Sequence, residues 1–269
     1  MADRFSSLLL RRADDALVLG HRLSEWTGHA PSLEEELALA NLALDLIGQA
    51  RALYALAASR GTGEDEDALA YLRGDREYTN LLLLELPNGD FAVTIARLFL
   101  YSAFADPFWR AATASRDRDL AAIAAKAEKE TAYHLRHSAE WLIRLGDGTE
   151  ESHRRAQAAV EKLWPYTGEM FEAEDEVLVA ADITPEPAGL REVWDRTVDG
   201  VLGEATLVRP AACWMQSGGR AGRHTEHLGH MLAVMQSVAR VHPGATWLAG
   251  CGNGPGRRRR GWWIRRFRC

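Results

Sequence analysis

Cysteine is scarce in this chain: Cys213, Cys251 and Cys269 are the only three in 269 residues. They form neither a disulfide framework nor a thiolate metal site. Cys213, beside Trp214, reads as a small packing residue rather than a nucleophile. Only nine prolines interrupt a chain rich in alanine and leucine, which favours helix over strand. No apolar run approaches the roughly 18 residues that span a bilayer. The opening Met-Ala-Asp-Arg carries an acid at position 3 and leads into no signal-like apolar segment, so the expected location is the cytoplasm.

Lysine is rarer still in relative terms, with Lys126, Lys129 and Lys162 the only lysines among 32 basic residues. The formal net charge is −6, but residues 248–269 hold seven arginines and no acid. Taking those seven charges away leaves −13 on residues 1–247, too acidic a body for a nucleic-acid partner. Gly-Cys-Gly-Asn-Gly-Pro-Gly over 250–256 and the arginine block 257–260 make residues 248–269 an expected disordered tail. A basic anchor using Trp262, Trp263 and Phe267 is the sharper alternative there.

Several catalytic signatures are absent. No Gly-x-Ser-x-Gly elbow, paired-cysteine motif or His-Glu-x-x-His occurs, so hydrolase and zincin readings have no footing. A single Glu-x-x-His exists, Glu150 to His153, just after the turn Gly146-Asp147-Gly148, where a helix begins. Carboxylate-bridged di-iron bundles use two such motifs plus a Glu from each of two further helices.

Long helical patterns dominate what remains. Phe5, Leu8, Leu9, Ala16, Leu19, Leu23 and Trp26 form one apolar stripe over residues 3–27. Ser32 with Glu35 is a capping box opening a helix over 32–59, roughly 40 Å long at ~1.5 Å per residue. Further helices are expected over 64–85, 91–115 (with a kink at Pro107), 117–145, 150–181, 186–209 and 224–241. No segment alternates with period two. The fold class is therefore all-α: one domain over 1–247, about seven to nine helices, with a long antiparallel bundle at its centre.

Three polar constellations sit on these helices. Asn41, Asp45 and Gln49 share a side of the second helix with Ala38, Ala52 and Leu56, so Asp45 is expected to be buried. It then needs a partner, an Arg or a protonated His from another helix before a metal. Glu130, His134 and His137 fall within roughly 60° of one another and are chemically able to ligate a transition metal with Asp45 or Glu85. A hydrogen-bonded polar layer is the plainer interpretation of the same residues. His224, Glu226, His227 and His230 form the densest cluster, yet Gly222 and Gly229 flank it and place it at a helix start.

Four stretches carry a resemblance to a known family. They are His21-Arg-Leu-Ser-Glu-Trp-Thr-Gly-His29, residues 37–51 (Leu-Ala-Leu-Ala-Asn-Leu-Ala-Leu-Asp-Leu-Ile-Gly-Gln-Ala-Arg), Asn80-Leu-Leu-Leu-Leu-Glu-Leu-Pro-Asn-Gly89 and His224-Thr-Glu-His-Leu-Gly229. Together they resemble the C subunits of phenylacetyl-CoA epoxidase, the multicomponent monooxygenase of aerobic phenylacetate degradation, over roughly residues 1–247. The resemblance implies a ferritin-like fold and a non-catalytic role beside a paralogous A subunit that holds the di-iron site and substrate. It implies no cofactor in this chain, no membrane, and only indirect dealings with the other oxygenase components and a reductase. A catalytic segment of the form Asp-Glu-x-Gly-His corresponds to Asp45-Leu46-Ile47-Gly48-Gln49 here, with Leu46 and Gln49 at ligand positions. Asp45, Gln49, Glu85, Glu130 and His134 are then candidates for a relic site. The competing expectations are a ferritin-like oxygenase active in its own right and a helical interaction module unrelated to oxygenase chemistry.

Overall fold

A computed structural model describes residues 2–62 and 64–242 of the chain. Among these residues there is no strand, and eleven α-helices follow one another. The four longest are α1 (Ala2–Ser24), α2 (Leu33–Ala57), α5 (Phe91–Ala112) and α6 (Arg118–Gly146). α1 pairs with α2, α5 pairs with α6, and α2 crosses α6, giving the long antiparallel bundle that the apolar periodicity predicts. The remaining helices are α3 (Glu66–Tyr71), α4 (Leu82–Glu85), α7 (Glu150–Leu163), α8 (Glu176–Ala180), α9 (Arg191–Glu204), α10 (Glu226–Met235) and α11 (Ser237–Val241).

Helix starts follow the sequence closely. Ser32, Asp90 and Asp117 accept from Glu35 N, Val93 N and Leu120 N, each satisfying an otherwise orphan donor. Glu35 does not complete the expected capping box, because its carboxylate turns towards His137 on α6. α5 is long and apolar enough to cross a bilayer, yet 89% of its most apolar window is buried inside the bundle. Its hydrophobicity is that of a central helix, and it runs through Pro107 without a break.

Two expected helices are divided. Residues 64–85 become α3, a short 3₁₀ turn and α4, since Asp14 and Asp15 of α1 capture the backbone N–H groups of Thr79 and Leu81. An intrahelical ladder cannot form where those donors are already used. Residues 150–181 split into α7 and α8, because Pro165 lacks the N–H a helix needs and two 3₁₀ turns take over. The segment 186–209 narrows to α9, and 224–241 divides at Gln236 into α10 and α11. The expected tail, residues 248–269, lies outside the described residues.

Candidate functional site

The α2–α6 crossing brings together most of the candidate ligand residues, in pairs. His134, buried on α6, places Nε2 3.2 Å from Asp45 Oδ2 on α2. The expectation that Asp45 is the buried partner is corrected: its side chain is 37% exposed, against 2% for His134. The angular position of residue 45, between the core face and the solvent face of α2, is the reason. Gln49 Nε2 donates to Glu130 Oε2 at 2.9 Å, and Lys126 Nζ lies 3.2 Å from the other oxygen of that carboxylate. Further along, His137 Nε2 lies 3.3 Å from Glu35 Oε2 without hydrogen-bond alignment. Burial disfavours the His137 imidazolium more than the Glu35 and Glu140 carboxylates favour it, so its pKa falls below the usual histidine range. Asn41 is exposed and Leu46 is buried.

Glu85 lies elsewhere, on α4, and belongs to a second cluster. His224 Nδ1 is 2.7 Å from Glu85 Oε2, and Nε2 is 2.8 Å from the Tyr78 carbonyl oxygen. Both ring nitrogens face oxygen acceptors, and the bonds to them outweigh burial and raise the His224 pKa above the usual histidine range. Glu85 also accepts from Asn80 Nδ2 at 2.9 Å and Thr225 N at 2.6 Å, while Arg22 donates to its backbone carbonyl. The dense His/Glu motif at 224–230 thus contributes one buried member. Glu226 and His230 are exposed, and His227 offers its carbonyl to Arg22. His153, from the lone Glu-x-x-His, caps α6 by bonding the Gly146 carbonyl at 2.7 Å.

A third network escapes sequence reasoning. Asp14 and Asp15, both fully buried on α1, hold Arg73 and Arg220 respectively. Tyr54 Oη donates to Asp14 at 2.5 Å, and Arg220 makes a two-pronged contact with Asp15 at 2.8 and 2.9 Å. Arg12 and Arg11 reach Glu174 at 2.8 and 2.6 Å. Glu169 gathers the N–H groups of Gly218, Gly219 and Leu82. The available signal was the adjacent acid pair inside the apolar stripe of α1, which only a buried cation can tolerate.

The fit of these residues to a carboxylate-bridged metal pair can be tested on donor chemistry. Among the described residues, no three His, Cys, Asp or Glu side chains converge as a ligand set. α2 brings Gln49 to the interhelical layer and buries Leu46 against α1, and the two buried acids of α1, Asp14 and Asp15, are committed to arginines. α5, at the centre of the bundle, contributes buried Arg97, whose guanidinium bonds the Leu86 carbonyl and Asn88. Burial and the neighbouring Arg22 lower its pKa to about 9. The one acid of α5, Asp106, pairs with Arg110. This donor set does not fit a di-iron centre.

The model of the family described as phenylacetic acid catabolic protein matches residues 2–247. The chain belongs to that family. A curated relative, the C subunit of 1,2-phenylacetyl-CoA epoxidase from Escherichia coli (strain K12), is 48% identical over 248 residues. The alignment covers 91% of this chain and the whole of the relative. The all-α bundle accords with the ferritin-like architecture of the family.

Proposed function

We propose that this chain is a structural, non-catalytic subunit of the multicomponent monooxygenase that epoxidises the ring of phenylacetyl-CoA in phenylacetate breakdown. Its role is to support and position a paralogous, iron-carrying A subunit. The observation that carries this reading is the α2–α6 layer. There Asp45 is engaged with His134, and Glu130 with Gln49 and Lys126, so these candidate donors already have protein partners. Gln49 stands in the same layer and Leu46 is buried against α1 beside Gly20, at the two positions where the catalytic pattern of the family has His and Glu. The identity and coverage shared with an epoxidase C subunit support the same assignment.

Elemental analysis of the aerobically purified chain tests the non-catalytic part of the proposal, with well under one iron per chain expected. Two irons per chain, with the near-ultraviolet absorption of an oxo-bridged cluster, would replace it with an oxygenase active in its own right. Co-expression tests the partner. An affinity-tagged chain is expected to retain the A subunit through purification, and a chain that never does so is not its scaffold.

A further inference from the structure

Between α9 and α10 the chain runs from Leu207 to Ser217 without helix, turn or bend. At ~3.3 Å per residue this extended strap is roughly 36 Å long. It is fastened at both ends. Val208 exchanges two hydrogen bonds with the Gln157 amide, at 2.9 and 3.1 Å. Arg209 turns inward over the Trp164 ring and pairs with Asp195 and Asp199. At the far end Met215 packs on Gly168, and Gln216 N donates to the Pro165 carbonyl at 2.7 Å. Between the fastenings Ala211, Ala212, Cys213 and Trp214 are all exposed, Trp214 by 76%. Successive side chains of an extended segment point to opposite sides, so four exposed in a row leave neither side of the strap covered. Cys213, expected to pack, therefore stands in solvent.

Main-chain chemistry says what would cover it. The N–H and carbonyl groups of Ala211, Ala212, Cys213, Trp214 and Met215 make no hydrogen bond to any described residue. A row of free donors and acceptors at strand spacing is satisfied best by a second extended main chain. Side chains point the same way. Residues 210–219 are ten uncharged positions in succession, in a chain of which 26% is charged. Exposed edges are ordinarily guarded by charges. This one instead presents a tryptophan, a residue type enriched among the anchors that dominate binding energy.

We infer that residues 210–216 are a docking strap for an extended segment of the partner subunit, which lies alongside as an added strand and takes Trp214 into an apolar pocket. The inference rests on the proposed place of this chain beside an A subunit. The segment that fits is itself uncharged and free of proline. A charge would lie against uncharged side chains, and a proline would forfeit a main-chain bond. A second copy of this chain meets neither edge fully. Antiparallel pairing about a two-fold axis through the exposed stretch sets Pro210, which has no N–H, against Trp214 or Met215.

Hydrogen–deuterium exchange of the free full-length chain and of its complex with the A subunit tests the strap directly. Amides 211–215 should exchange freely in the chain alone and at least tenfold more slowly in the complex. Trp214→Ala should weaken the complex by roughly thirtyfold or more. The same substitution should leave the helical circular dichroism and melting temperature of the free chain unchanged, because the side chain stands in solvent there. A complex that forms with 211–215 unprotected, or that Trp214→Ala leaves equally tight, overturns the inference and spares the scaffold reading. Failure to form any complex overturns both. Protection of the strap that grows with the concentration of this chain alone overturns the inference too, and gives the strap to a second copy.

Discussion

His21 and His224 are perturbed in opposite directions, and the difference lies in what surrounds each ring. Burial alone acts on His21, whose Nε2 has no hydrogen-bond partner, and it lowers the pKa to about 4. Its neutral form therefore supports the fold above pH ~6.5, the unfolded value, and that support fades as pH falls towards 4. The full loss amounts to about 3 kcal/mol. Burial also disfavours charge on His224, but the bonds to Glu85 and the Tyr78 carbonyl outweigh it and raise the pKa. Its contribution is complete below pH ~6.5 and declines as pH rises through the elevated folded value. Chemical denaturation across pH should show His21→Phe flattening the acid limb of the stability curve. His224→Gln should lower the neutral plateau by roughly 1.5–3 kcal/mol, the worth of hydrogen bonds to a charged group. A His224 ring that titrates at or below pH ~6.5 by NMR would contradict the clamp between two acceptors. Asp45 belongs to the same scale: with its carboxylate more than a third exposed, Asp45→Asn should cost no more than about 1 kcal/mol in thermal melting. Its pairing was legible in the sequence, whereas its exposure depends on how α6 crosses α2, which periodicity does not encode. Asp14 and Asp15 show the reverse case, since their partners Arg73 and Arg220 lie 59 and 205 residues away along the chain.

Long helices declare themselves through repetition, and α1, α2, α5 and α6 begin and end close to where apolar spacing and capping residues place them. The segments 72–81 and 216–222 do not, because their course is set by bonds from distant side chains rather than by local pattern. Thr79 and Leu81 donate to α1, and the turn at Gly218 and Gly219 is gathered by Glu169. Close approach between elements is equally invisible in a single sequence. Gly146, the last residue of α6, meets the loop after α9 so tightly that a Cβ would lie 2.2 Å from the Ala205 carbonyl oxygen. That backbone atom cannot swing aside as a side chain could. Gly146→Ala should therefore cost about 1–3 kcal/mol, towards the upper end of what overpacking costs, although alanine is the better helix former. Urea denaturation measures it, and an unchanged midpoint would mean that α9 stands further off.

At the scale of the whole molecule, charge and fold part company. The matched family model ends at residue 247, and the curated relative is covered end to end within 91% of this chain. The packing described above, from the α1–α2 pair to the clamp at His224, involves residues up to 242. Residues 248–269 carry seven arginines and no acid, so their removal changes the formal net charge from −6 to −13 without withdrawing a single side chain from the described core. Net charge acts on solubility and on long-range attraction, the latter screened by salt over ~10 Å at 0.1 M. Deleting 248–269 is accordingly expected to leave helicity and melting temperature unchanged, and to delay or advance the chain on ion exchange as its charge demands. If the apolar and paired surfaces of the bundle hold the A subunit, the truncated chain should retain that subunit as fully as the intact one at moderate salt. Co-purification of the two forms side by side decides it. Loss of the complex on truncation, recovered when the arginines are restored, would transfer the docking role from the helical faces to the basic segment.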